Sequence, residues 1–281
     1  MQIRKAERRK AKLRLAIYGP TGSGKTWSSL EIATGMGGKI GMIDTESGRG
    51  ELYANNFEYD VIRLESPYST ERYIQAIKMF EQEGYNTIII DSLSHAWVGE
   101  GGILSVVEKA GSSFNQGWRV GTPKHNSLVD TIMQSKCHVI CTLRVKTEYV
   151  VEKNDKGKTE PRKIGLAPVQ RDQLEYEFLL LLEMSEKTAR ATKDNTRLFT
   201  NEYFTPNFET GRKLIEWLNE GKEPEKIEDK QTEIVGSLRS SKDVEELKKN
   251  YLNLIKLYPT YQDMIIQESK KIKEELLINI G

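Results

Sequence analysis

Apolar runs and amphipathic stretches alternate along the first half of the chain. Residues 13–18 (LRLAIY) form a short apolar run that predicts a buried strand. A Gly-rich turn follows, then a helical stretch from about Lys25 to Met36 that Gly37-Gly38 ends. KIGMID (39–44) predicts a second strand and VIRL (61–64) a third. Over 69–83, Ser69 and Thr70 can cap a helix whose Tyr73, Ile74, Ile77 and Phe80 fall on one side. NTIIID (86–91) has the continuous apolar pattern of a central parallel strand. Residues 99–121 are Gly-rich and predict a loop, 124–135 a helix, and HVICTL (138–143) another buried strand. Strands alternating with helices predict an α/β fold with a mainly parallel sheet.

Residues 144–171 interrupt this alternation with a net surplus of four positive charges, and Asp155-Lys156-Gly157-Lys158 reads as a turn tip. The segment predicts a mobile basic loop or hairpin. Strands near 177–183 and 189–193 follow, then a helix near 210–220 ending at Gly221. Lys222-Glu223-Pro224-Glu225 has linker composition. Beyond it, Val244, Leu247, Tyr251, Leu254, Ile255 and Tyr258 recur at helical spacing up to Pro259, and Ile265, Ile272, Leu276 and Leu277 repeat the pattern. The expected organisation is a basic N-terminal arm (1–12), an α/β core (13–221) and a small C-terminal helical hairpin (225–281).

Composition narrows the function classes. Lys+Arg 42 against Asp+Glu 41 gives a net charge of +1, so any nucleic-acid site must come from local clustering. Residues 1–14 carry such a cluster, a surplus of six, which is either a solvated arm or a phosphate-backbone contact. At 37% hydrophobic the chain can bury a real core, and no apolar run reaches the ~18 residues of a membrane span. No signal-peptide-length apolar stretch precedes Gly19. Two cysteines exclude a disulfide framework and fit a reducing cytoplasm. His95, His125 and His138 have no metal-ligand spacing with them.

The strongest chemical signal is Gly19-Pro20-Thr21-Gly22-Ser23-Gly24-Lys25-Thr26, a full G-x-x-x-x-G-K-[ST] between strand and helix. Its glycines let successive N–H groups of the loop from Gly19 through Thr21, Gly22, Ser23 and Gly24 aim at phosphate oxygens. Lys25 can reach the β- and γ-phosphates of ATP, and the Thr26 hydroxyl suits Mg²⁺. Asp91, ending the TIIID strand, is the second expected metal-binding group. Asp44 and Glu46 end KIGMID. Hydrolysis needs a carboxylate to orient or deprotonate water, and Glu46 is the candidate; the competing reading has these acids only capping a turn before Gly48.

GPTGSGKT, MIDTES, TIIIDSLSHAW, HVICTLRVKTEYV and APVQRDQLEYEF, in this order, resemble phage-encoded AAA-family ATP-binding proteins with a RecA-like core, including the Sak-type single-strand annealing proteins of phage recombination. The resemblance covers about residues 11–220. It implies a RecA-like P-loop NTPase core and an ATPase that forms homo-oligomers, as rings or filaments, in the cytoplasm of a host cell. It implies Glu46 as the catalytic glutamate, because Ser92 rather than an acid follows Asp91. It points to Thr142 and Arg144 as the polar groups nearest a γ-phosphate sensor, although no glutamine follows HVICTL. Lys193 and Arg197 would be cations offered to a neighbour's nucleotide, and the competing reading is ordinary surface charge.

Single-strand DNA binding needs cations along the backbone and aromatic faces for bases. The basic segment offers Lys146, Lys153, Lys156, Lys158, Arg162 and Lys163; the Gly-rich segment offers Trp118 and Arg119. Trp118 is either a stacking face or a ring packed under its loop. The C-terminal hairpin, near neutral, suits protein docking, with a single-strand-binding protein as one partner. Two other functions fit the phosphate loop: a small-molecule phosphotransferase and a nucleotide-dependent loader.

Overall fold

A computed structural model describes residues 5–111, 114–153, 159–223, 234–258 and 261–278. Residues Ala11–Asn219 form one compact unit; residues up to Lys10, with those from Glu220 onward, form another.

The larger unit is built on an eight-stranded sheet in the order β10-β9-β8-β1-β5-β4-β2-β3. Its strands are β1 (Arg14–Tyr18), β2 (Ile40–Asp44), β3 (Asp60–Arg63), β4 (Thr87–Asp91), β5 (His138–Leu143), β8 (Leu180–Ser185), β9 (Thr188–Asp194) and β10 (Tyr203–Phe204). The six from β8 to β3 run parallel, while β9 and β10 extend the β8 side antiparallel. Every residue of β1, β2, β4 and β5 is buried, which is why these runs lack polar alternation. Alternate side chains feed two cores. Ala16, Ile88, Ile90 and Val139 pack with Tyr73, Ile77 and Phe80 of α2 (Thr70–Gln82) and Leu128 and Ile132 of α5 (Phe114–Gln134). Leu15, Ile17, Ile89 and Ile140 pack with Leu30 and Ile32 of α1 (Lys25–Met36) and Leu214 and Leu218 of α6 (Phe208–Leu218). This is the mainly parallel α/β class expected from the sequence. β5 lies between β1 and β4, so the strand leading to the phosphate loop and the strand ending in Asp91 are one strand apart, with their carboxyl ends on the same edge.

The Gly-rich loop expected over 99–121 is instead largely helical. α3 (His95–Val98) precedes the region, and α4 (Ile103–Lys109) and the first part of the 21-residue α5 occupy it, with Pro123 inside α5. The glycines that argued against helix serve packing. A Cβ at Gly117 would lie 2.3 Å from the Val107 carbonyl oxygen, and one at Gly121 2.5 Å from a Val107 methyl. α4 and α5 approach closely because these positions carry no side chain.

β6 (Val145–Lys153) and β7 (Thr159–Pro168) form a separate antiparallel ribbon with a register shift at Glu148/Tyr149. The expected tip, with Lys156 and Lys158, lies outside the described residues.

In the smaller unit, Arg9 and Lys222 form a parallel bridge, and Lys10 pairs with Glu223 and Lys222 with Glu7. Part of the arm's charge is therefore neutralised locally. Arg14, summed with the basic cluster of residues 1–14 but inside the predicted strand 13–18, belongs to the core: it is 8% exposed and donates to carbonyls of Leu13, Met133, Ser135 and Cys137. Helical residues 234–239 (α7), α8 (Val244–Leu257) and α9 (Gln262–Ile278) gather Ile234, Leu238, Leu247, Leu254, Ile265 and Ile272 into a core of their own. Pro259 of the sequence reading and the linker beyond Glu223 lie outside the described residues. Among the described residues, no helix is long and apolar enough to cross a membrane.

Candidate nucleotide site

The turn from β1 into α1 is shaped by three glycines. A Cβ on Gly19 would meet the Met184 carbonyl oxygen at 2.3 Å, so only glycine fits there. Gly22 and Gly24 adopt φ of 80° and 92°, a left-handed backbone that side-chain-bearing residues rarely take. Thr21 stands exposed on the loop. The Ser23 hydroxyl is buried without a hydrogen-bond partner among the described residues. The Lys25 ammonium donates to the Gly19 and Pro20 carbonyls, each at 2.9 Å. Burial lowers the pKa of Lys25, opposed by the charges of Asp91 and Glu46.

The metal-binding candidates meet. Thr26 Oγ1 donates to Asp91 Oδ2 at 2.5 Å, and Thr142 Oγ1 donates to Asp91 Oδ1 at 2.5 Å. Asp91 is 5% exposed; burial raises its pKa, and the two hydroxyls work in the opposite direction. A hydroxyl beside a carboxylate next to a lysine is a hard-oxygen donor set suited to Mg²⁺. The orphaned Ser23 hydroxyl and the glycine-shaped loop fit a polyphosphate.

Asp44 and Glu46 divide their work. Asp44 accepts from the Glu46 amide at 2.6 Å and the Gly50 amide at 3.2 Å, so it caps the turn. Glu46 is free of that task and forms a forked ion pair with Arg144: Nε to Oε1 is 3.0 Å, Nη2 to Oε1 2.8 Å, and Nη2 to Oε2 2.7 Å. Burial pushes the Glu46 carboxyl up, yet the hydrogen bonds and charge of Arg144, helped by His95 and Arg49, hold it below its ordinary value. Arg144 stands where the β6–β7 ribbon leaves the sheet. Its amide donates to Ser94 Oγ at 2.9 Å and its carbonyl accepts from the Val169 amide at 2.7 Å. Beside it, Thr45 Oγ1 is 2.7 Å from His95 Nδ1 and accepts from the Ser92 amide at 2.8 Å. Gln170, from the QRDQ run, is buried here and donates to the Leu93 carbonyl at 3.2 Å. The ribbon separates Gln170 from HVICTL in sequence.

The remaining candidates lie elsewhere. The Lys193 ammonium donates to the Tyr176 carbonyl at 2.5 Å and the Glu175 carbonyl at 3.4 Å. Arg197 is exposed at φ 63°, its amide held by Asp194. Lys146 is exposed at the root of β6; Lys153, Arg162 and Lys163 are on the ribbon strands. Trp118 and Arg119 lie on α5, not in a loop. Trp118 is half-buried, 5.8 Å from the Trp97 ring, with the Arg171 guanidinium 5.6 Å from its centroid.

One feature had no sequence signal. The phosphate loop opens into a cavity of about 550 Å³ lined by Gly22, Gly24, Lys25, Trp27, Tyr53, Lys187 and Pro206, among others. Trp27 stands edge-on to Tyr53 and Phe57 at 5.8 and 4.8 Å.

Residues 11–213 match the family model described as an AAA domain. The structure is similar to the RadB recombinase (18% identity, TM-score 0.35, covering 72% of this chain and 90% of that one). It is also similar to an ATPase from the type III secretion system of pathogenic bacteria (9% identity, TM-score 0.40, covering 93% and 80%). No curated protein matches the sequence.

Proposed function

The chain belongs to the AAA-domain family, a P-loop ATPase class, and from that premise we propose that it is a phage-type recombination ATPase that assembles on single-stranded DNA and promotes annealing or strand exchange. The observation that carries the reading is the forked Glu46–Arg144 pair, which joins the candidate catalytic carboxylate to the root of a cation-bearing ribbon.

In this reading the backbone of Gly22–Thr26 and the Lys25 ammonium bind the phosphates, and Thr26 and Asp91 hold Mg²⁺. The metal, when bound, supplies charge neutralisation on the phosphate oxygens. Glu46 orients the attacking water and accepts its proton. While both its oxygens are engaged by Arg144 it is a poor base, so productive hydrolysis requires that fork to open. The ribbon carries Lys146, Lys153, Arg162 and Lys163 to the DNA backbone, with Lys156 and Lys158 completing the set. Lys193 and Arg197 act across a subunit contact in a ring or filament. The C-terminal helices dock a partner such as a single-strand-binding protein, and the site of action is the host cytoplasm.

The test is ATP turnover with and without single-stranded DNA, read beside particle size in the same samples. DNA-stimulated turnover in enlarged particles is expected. Turnover indifferent to DNA in a monomeric chain would remove the recombination reading and leave the phosphotransferase or loader.

A further inference from the structure

The turn joining β8 to β9 consists of Glu186 and Lys187, flanked by the paired residues Ser185 and Thr188. Both turn residues are left-handed, at φ 49° and 67°, the geometry a two-residue hairpin demands. This turn lies against the phosphate loop. The Lys187 amide donates to the Ser23 carbonyl at 3.2 Å. A Cβ built on Gly24 would lie 3.6 Å from Lys187 Cγ and 3.7 Å from Met184 Cε, and Gly19 closes on the Met184 carbonyl. The β8–β9 hairpin thus meets the loop at both of its glycine ends.

We propose that Lys187 is a second phosphate-binding cation of this site, supplied by the β8–β9 turn alongside Lys25 of the loop. Its residue lines the same 550 Å³ cavity as Gly22, Gly24, Lys25 and Thr26. The charged residues of that lining are Lys25, Lys187 and Glu31, so Lys187 doubles its positive charge. The side chain is exposed, and among the described residues its ammonium makes no ion pair or hydrogen bond. Lys193 is different: its ammonium is engaged by main-chain carbonyls. The backbone contact fixes where the Lys187 stem starts, while the ammonium keeps its reach. A lysine anchored at its amide and free at its tip is suited to a polyanion whose length differs between diphosphate and triphosphate.

The proposal rests on the reading of Gly19–Thr26 as a nucleoside polyphosphate site, and the experiment separates the two. Binding of ATP with Mg²⁺, and of ADP, is measured calorimetrically on the full chain for wild type, K25A, K187A, K187G and K187R, with turnover at saturating ATP. K187G suits the left-handed turn and retains the amide that holds Ser23, so it deletes the ammonium without straining the fold. K187A and K187G are expected to weaken both nucleotides about three- to tenfold, and K187R to restore affinity. Unchanged affinity in K187A and K187G would overturn the proposal while leaving the loop assignment intact. So would a loss confined to saturated turnover. Wild type that binds no better than K25A would remove the loop assignment and this proposal with it.

Discussion

The phosphate loop and the β6–β7 ribbon are rooted at one edge of one sheet, yet they are specified by different physics. Beside the loop, several buried polar groups are tied to one another: Asp91 accepts from two hydroxyls, Asp44 accepts from two amides, and Gly19 packs against the Met184 carbonyl. Such a site has one low-energy arrangement, because unpairing a buried polar group costs about 1–3 kcal/mol. Among the described residues, the ribbon strands pair with each other and stand outside the eight-stranded sheet. Two strands alone are marginally stable in water, so the ribbon's pairing is held more weakly than that of the central sheet. Under the proposed function, the loop and the ribbon, joined at Arg144, are the two ends that would couple hydrolysis with DNA.

The most damaging change belongs at the loop. K25A is expected to reduce nucleotide binding and turnover by at least about 100-fold, measured by calorimetry and phosphate release. E46Q comes next. It preserves the loop and is expected to bind ATP normally while slowing hydrolysis by about 100-fold. Normal hydrolysis in E46Q would move the base to another residue and dissolve the functional link to the ribbon. At the ribbon, neutralising Lys146, Lys153, Arg162 and Lys163 together should leave DNA-free turnover near wild type. Each lost phosphate contact lowers the slope of log affinity against log salt by about 0.7, so the slope for single-stranded DNA should flatten by about 3. An unaltered slope would relocate the DNA path, with Trp118 and Arg119 on α5 as the next surface to test.

The same division explains what the sequence made legible. The loop could be read because each requirement is local: glycine where φ is positive, lysine and threonine at fixed offsets, an apolar strand before and a helix after. Asp91 could be read because a buried strand ending in a carboxylate is a local pattern too. The α4–α5 region could not, because Gly117 and Gly121 lower helix propensity for the sake of a tertiary contact with Val107, and propensity carries no record of the partner. Arg14 counted toward the basic cluster because its neighbours in sequence are cations, whereas its neighbours in space are carbonyls. Lys187 was invisible for the related reason that it reaches the loop's cavity from a segment distant in sequence.

The smallest expected effect is the most specific to the joint between the two regions. Burial alone would raise the Glu46 carboxyl; the Arg144 fork holds it below its ordinary value. R144A removes that pull and leaves the burial, so Glu46 should protonate at higher pH. Since the water-orienting role needs the carboxylate, the acid limb of saturated turnover should move upward in pH. Basal turnover near neutral pH should rise by up to about tenfold if the fork engages Glu46 in nine of every ten molecules. Stability gives an independent sign check. A carboxyl whose folded pKa is depressed contributes stability above its unfolded pKa and loses it as pH falls through the folded value. The gap in melting temperature between wild type and R144A should therefore be widest near neutrality and close on acidification, and it should be small throughout, because Arg144 is 46% exposed. R144K, which cannot fork, should fall between the two in both profiles. An acid limb common to all three proteins would mean that Arg144 does not set the charge of Glu46. The two ends of the molecule would then have to communicate through Ser94 and the β5 backbone instead.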